Sequence, residues 1–160
     1  MNAMEMIMKR TTIAKTFAIA TVTALALGIA PSAKADDKGC SNLSLKGTFA
    51  HTTTGFLVAP APVGAFAQAG TQTFDGRGGT STVGMLSING DIEPDSSTGT
   101  YTVNPDCTGT FILVAANGIT AHYYFALSDN GAEFHAVCTD PVGIITRVGR
   151  RQFPLGDWRG

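Results

Sequence analysis

From residue 46 onward the chain runs in short two-residue alternations, each broken by Gly, Asn, Asp or Pro, and that punctuation leaves few folds open to it. Successive side chains of a strand point to opposite faces, so an alternating run marks a strand with one buried side. Thr, Val, Phe, Tyr and Ile recur in these runs, and no amphipathic helical period interrupts them. The predicted strands are 46–56, 64–74, 80–89, 99–103, 108–115, 119–127, 132–139 and 143–152. The links at Asp75 to Gly79, Asn117-Gly118, Asp129-Asn130-Gly131 and Asp140-Pro141-Val142-Gly143 supply positive φ or a fixed proline φ. Links this short force neighbouring strands to run antiparallel. A meander of this many strands exposes two unpaired edges unless it closes, so the predicted fold is all-β, an eight-stranded antiparallel up-and-down barrel, with a two-sheet β-sandwich as the alternative.

Two hairpins can be registered. A two-residue turn at Asn130-Gly131 sets Leu127 opposite Phe134, Phe125 opposite Ala136 and Tyr123 opposite Cys138, a uniformly apolar set read as the lumen. The same rule at Asn117-Gly118 sets Val114 opposite Ala121 and Ile112 opposite Tyr123. The outer face then carries Phe111, Leu113, His122, Tyr124, Glu133, His135 and Val137, which is apolar for a solvated exterior. It is either a subunit interface, making the chain a homo-oligomer, or a scatter of surface apolar residues.

The N-terminus reads as a targeting segment. Lys9-Arg10 is followed by an apolar run from Ile13 to Ala30, a break at Pro31, and small residues at Ala33 and Ala35 that suit cleavage before Asp36. The competing reading is an uncleaved membrane anchor; no later segment is apolar enough to span a bilayer as a helix. The expected organisation is a signal peptide over 1–35, a lead-in over 36–45, a barrel over 46–152 and a tail over 153–160, in an exported protein of the periplasm or the extracellular space. After cleavage 160 − 35 = 125 residues remain, enough for one core. Lys and Arg fall from 11 to 7 and Asp and Glu from 12 to 11, a net charge of 7 − 11 = −4. Such a balance disfavours nucleic acid as a partner, and Arg147, Arg150, Arg151 and Arg159 read as a solvated basic end.

In an oxidising compartment Cys40, Cys107 and Cys138 supply one bridge and one free thiol. The register puts Cys107 and Cys138 five residues apart along the strands, about 16 Å, well beyond the ~7 Å a disulfide spans. Cys40, in the lead-in, reaches a loop at a barrel end more readily, so the expected pair is Cys40 with Cys107, leaving Cys138 buried on the lumen face.

The chain resembles a group of exported bacterial barrel proteins of uncharacterised function. The likeness rests on Ser44-Leu45-Lys46-Gly47-Thr48-Phe49, on Phe74 to Gly78, on the stretch from Gly99-Thr100-Tyr101 to Cys107-Thr108-Gly109-Thr110, and on Arg150-Arg151-Gln152. That group is similar in architecture to calycin and allene oxide cyclase-like barrels. The resemblance implies a fold and no reaction, because no catalytic residue of those enzymes maps onto a position here.

Sites of chemistry are sparse. His122 and His135 share a face but stand about 13 Å apart, too far for one metal, so no metal site is expected. Cys138 and His135 point to opposite faces, which rules out a nucleophilic dyad. Asp91, Glu93 and Asp95 read as a solvated acidic loop rather than a calcium site, since Pro94 spoils the spacing. No cofactor motif and no coherent catalytic constellation is present, which leans against an enzyme. Inside the barrel His51 and Tyr123 are polar tips among apolar neighbours, and with Phe125 and Phe134 they are the candidate residues for a small hydrophobic ligand; the alternative is that they are satisfied core groups. The function read from the sequence is thus a non-catalytic binding barrel, with a structural or oligomeric interaction protein or a barrel isomerase as the alternatives.

Overall fold

A computed structural model describes residues Gly39 to Phe153. The predicted leader over 1–35 and the tail around Trp158 lie outside these residues. The strands are β1 (Gly47–Leu57), β2 (Gly64–Phe74), β3 (Gly79–Ile88), β4 (Asp91–Val103), β5 (Thr108–Ala115), β6 (Thr120–Ser128), β7 (Glu133–Cys138) and β8 (Gly143–Arg151). All neighbours are antiparallel, and β8 pairs back onto β1, so the eight strands form a closed up-and-down barrel rather than a sandwich. Closure pairs every strand on both sides and removes the edges that an open meander leaves.

The β6–β7 register matches expectation: Tyr123 pairs with Cys138, Phe125 with Ala136 and Leu127 with Phe134. The β5–β6 register does not. Phe111 pairs with Tyr123 and Leu113 with Ala121, so Phe111 and Leu113 are buried in the lumen while Ile112 and Val114 face outward. The reason is one extra loop residue. Ala115 pairs with Ile119, the loop spans Ala116 to Gly118, and Gly118 takes φ +85 at its end; a one-residue change in loop length turns every side chain of a strand over. The corrected register moves Cys107 from the level of Ser128 to that of Leu127 and leaves it four residues from Cys138's level.

The stretch read as an acidic loop is strand. Asn89 and Gly90, both at positive φ, form a two-residue turn between Ile88 and Asp91, so β4 starts at Asp91. Pro94 is tolerated because residues 91–95 pair with β3 alone; on the other side Ser96 O accepts from Ala116 N and the ladder to β5 begins at Ser97. Asp91, Glu93 and Asp95 therefore lie at alternate positions on the inner side of an overhanging strand end.

One end of the barrel is stoppered. A 3-10 turn (Asn42–Leu45) puts Leu45 at 0 % exposure under the strands. Tyr101 Oη donates to the Asn42 carbonyl, and Val103 N donates to Asn42 Oδ1. Arg151 donates to the carbonyls of Lys46, Ser44 and Gly131 while lying over the Phe49 ring. Above this plug Phe49, Phe74, Phe111, Phe125 and Phe134 pack with ring centroids 5.4 to 6.4 Å apart. The rings of Phe125 and Phe134 occupy the space that Cβ atoms on Gly109 and Gly149 would fill, so two glycines, each paired across from its ring on the adjacent strand, make the tight aromatic layer feasible.

Cys40 and Cys107 form the disulfide, with Cα atoms 4.9 Å apart, and fasten the plug to the β4–β5 link. The bridge closes a loop of 67 residues, for which the chain-entropy estimate is about 4 kcal/mol. Equilibrium urea unfolding with and without reductant should differ by that order; a difference under about 1 kcal/mol would mean the plug holds without its pin.

Candidate functional site

The upper half of the lumen is polar, and its centre is Arg147 on β8. This residue was read as solvated from the sequence. It is 3 % exposed and points inward, because the alternation that buries Ile145 on the same strand buries Arg147 two positions later. Its Nε donates to Thr53 Oγ1 at 2.8 Å, Nη1 to Gln72 Oε1 at 3.1 Å and Nη2 to Gln68 Oε1 at 2.7 Å. The guanidinium of the closing strand thus holds β1 and β2 together, and it lies 5.1 Å from the Tyr123 ring centroid and 5.9 Å from that of Phe111.

Three acceptors leave two of the five guanidinium N–H donors, one on each terminal nitrogen, without a hydrogen-bond acceptor among the described residues. No carboxylate among them lies within ion-pair distance of Arg147. Its countercharge comes through an amide. Gln68 accepts from Arg147 with Oε1 and donates with Nε2 to Asp95 Oδ2, on the half-exposed lip of β4. Burial pushes the Arg147 guanidinium below its ordinary value, with Tyr123 and Asp95 pulling the other way, yet an arginine stays charged there.

His51 stands beside this cation. The Thr53 hydroxyl lies 3.2 Å from Gln68 Oε1, to which it donates, and 3.5 Å from Nδ1 of His51. Nε2 of His51 is buried with no hydrogen-bond partner among the described residues, and Thr82 Oγ1 has none either. Burial first, and the Arg147 charge second, push the His51 imidazole down to about 3, so it is neutral at any physiological pH. Burial likewise pushes the Tyr123 hydroxyl up.

Of the residues singled out in the sequence, His51 and Tyr123 meet around Arg147, whereas Phe125 and Phe134 belong to the aromatic layer below. Cys138 is a free, half-buried thiol on the lumen side, less enclosed than expected. Its Sγ lies 3.8 Å from Asp140 Oδ2, whose other oxygen is 2.9 Å from His122 Nδ1. Arg147, Gln68, Gln72 and Thr53 were missed. The signal was present in Gln68, Gln72 and Phe74, which share one face of β2, and in Ile145 and Arg147 on β8.

The exterior is the second unusual surface. No Asp, Glu, Lys or Arg occupies an outward position of β1 to β6. Around the rest of the barrel only Glu133 and Arg150 do so, paired with each other at 2.7 Å. A depression of about 370 Å³ lies on β1 to β4, floored by Ala67 and Ala69 and flanked by Met85 and Ile92, which are 48 % and 70 % exposed. Another of about 280 Å³ lies over Tyr124, His135, Val137 and Val148. No helix among the described residues is long and apolar enough to cross a membrane.

No family model matches the chain, and no curated protein matches it. Among solved structures it is similar to two redesigned β-barrels. One, at 18 % identity and a TM-score of 0.49, aligns over 70 % of this chain and 95 % of its own. The other, mFAP1 bound to DFHBI, stands at 20 % identity and 0.49, over 69 % and 97 %.

Proposed function

We propose that this is an exported barrel that works through its outer surface as a structural or oligomeric interaction module. The observation that carries the reading is the uncharged exterior of β1 to β6. Solvated domain surfaces carry about a quarter to a third charged residues, whereas interface centres are depleted of them. The interior supports the same reading, since plug, aromatic layer and Arg147 network together supply the fold's core. Export is supported by the leader-like N-terminus and by a disulfide in a small domain.

A second reading is favoured by one specific observation: among the described residues His51 Nε2 and Thr82 Oγ1 are buried without hydrogen-bond partners, beside a guanidinium with two N–H donors to spare. Here the barrel holds a small, mainly hydrophobic ligand, with a polar head between Arg147, His51 and Tyr123 and an apolar part toward Phe125 and Phe134. Native mass spectrometry of the protein purified from its own host separates the two. The surface reading expects only the chain and its multiples. A non-covalent adduct of a few hundred daltons that is lost in His51→Phe and Tyr123→Leu would move the function into the lumen.

A further inference from the structure

We infer that the neutral face of β1 to β4 packs against the same face of a second copy of this chain, which makes the protein a two-fold symmetric dimer. The inference rests on the surface reading and names its partner. Cross-strand pairing lays the outward residues in rows: Thr48, Thr73, Ser81 and Thr98 form one, and Thr52, Ala69, Met85 and Pro94 another. The rows hold small or uncharged side chains, which lets two sheets approach to the usual ~10 Å spacing.

Charge points to a copy of the chain itself. The mature chain carries a net −4, so acidic surfaces of two copies repel, yet this face has no charge with which to repel itself. Shape points the same way. The depression over Ala67 and Ala69 and the protruding Met85 and Ile92 share one face, so a two-fold axis seats each copy's protrusions in the other's depression. Four strands about 4.8 Å apart, with outward residues about every 6.6 Å, present about 500–600 Å² before side-chain relief is counted. That approaches the ~600–800 Å² per partner of stable contacts.

The test measures sedimentation of the full chain, expressed with residues 1–35 in place, together with native mass spectrometry. A dimer with a micromolar Kd is almost fully formed at about 100 µM, so twice the chain mass is expected there. Ala69→Glu puts a carboxylate into the depression, and Thr52→Lys puts an ammonium beside it. Both positions are exposed in one copy, so circular dichroism should keep its β signature while self-association weakens at least about 100-fold. Thr52→Lys decides the matter if Ala69→Glu fails to fold. A wild-type monomer of bare chain mass at about 100 µM overturns the dimer and leaves the surface reading open to a different partner. A monomer that carries a small-molecule adduct overturns both, and a folded variant that remains dimeric overturns this placement of the contact.

Discussion

Lowering the pH from about 7.5 to about 4 should destabilise the fold by about 3 kcal/mol through His51 alone. In the unfolded chain His51 takes up a proton near its ordinary value of 6.5, whereas in the fold it resists protonation down to about 3. Its contribution is therefore fully present above pH 6.5, is lost progressively as the pH falls toward 3, and levels off below. Burial is the larger cause, and the charged group facing it is Arg147 on β8; Asp95 on β4 reaches that cation only through Gln68. At its acid end the window meets the carboxylates. Asp75, Asp106 and Asp140 are held below their ordinary 3.8, by backbone donors of Arg77 and Gly79, by the Thr108 hydroxyl and, against burial, by His122 hydrogen bonds that outweigh it, so their contributions fade as the pH falls through the carboxylate range in wild type and His51 variant alike. Urea titrations at half-unit pH steps should show the slope in the wild type and lose it in His51→Gln. An unchanged slope in the variant would place the acid sensitivity elsewhere.

Replacing Arg147 with Met should lower stability by about 2–3 kcal/mol, or about 6–15 °C in Tm for a domain of this size. Methionine keeps much of the volume but removes the guanidinium donors: Gln72 Oε1 is left buried with no donor among the described residues, while Gln68 Oε1 keeps the Thr53 hydroxyl and Thr53 Oγ1 keeps its contact with His51 Nδ1. Arg147→Lys should lie close to the Met variant, because one ammonium cannot span the fork from β1 to β2. The combination of Arg147→Met with Gln68→Leu and Gln72→Leu should recover most of the loss, since removing a whole buried polar group costs far less than removing half of it. Thermal and urea unfolding of the set measures this, and a loss below about 1 kcal/mol in Arg147→Met would show the network to be incidental to stability.

Both effects come from a part of the molecule that the sequence only half displays. The fold class was legible because alternation and glycine turns are local signals: the strand runs, the β6–β7 register and the pairing of Cys40 with Cys107 all follow from spacing along the chain. The β5–β6 register was misjudged because Asn117-Gly118 suits a two-residue or a three-residue loop, and only packing of Phe111 against Tyr123 and Phe125 selects the latter. The start of β4 was readable in Asn89-Gly90, a strong hairpin signal that Pro94 and the neighbouring acids obscured.

Residue order alone determined which side chains share a face of each strand, since the two-residue period is a property of extended backbone that no partner can change. Which face turns inward, and what meets there, was decided by closure. Only when β8 pairs with β1 does Arg147 come within reach of Thr53, Gln68 and Gln72, from strands more than 70 residues earlier. A charge reads as exposed in any local window, and a barrel buries it when strands distant in sequence bring enough hydrogen-bond acceptors around it.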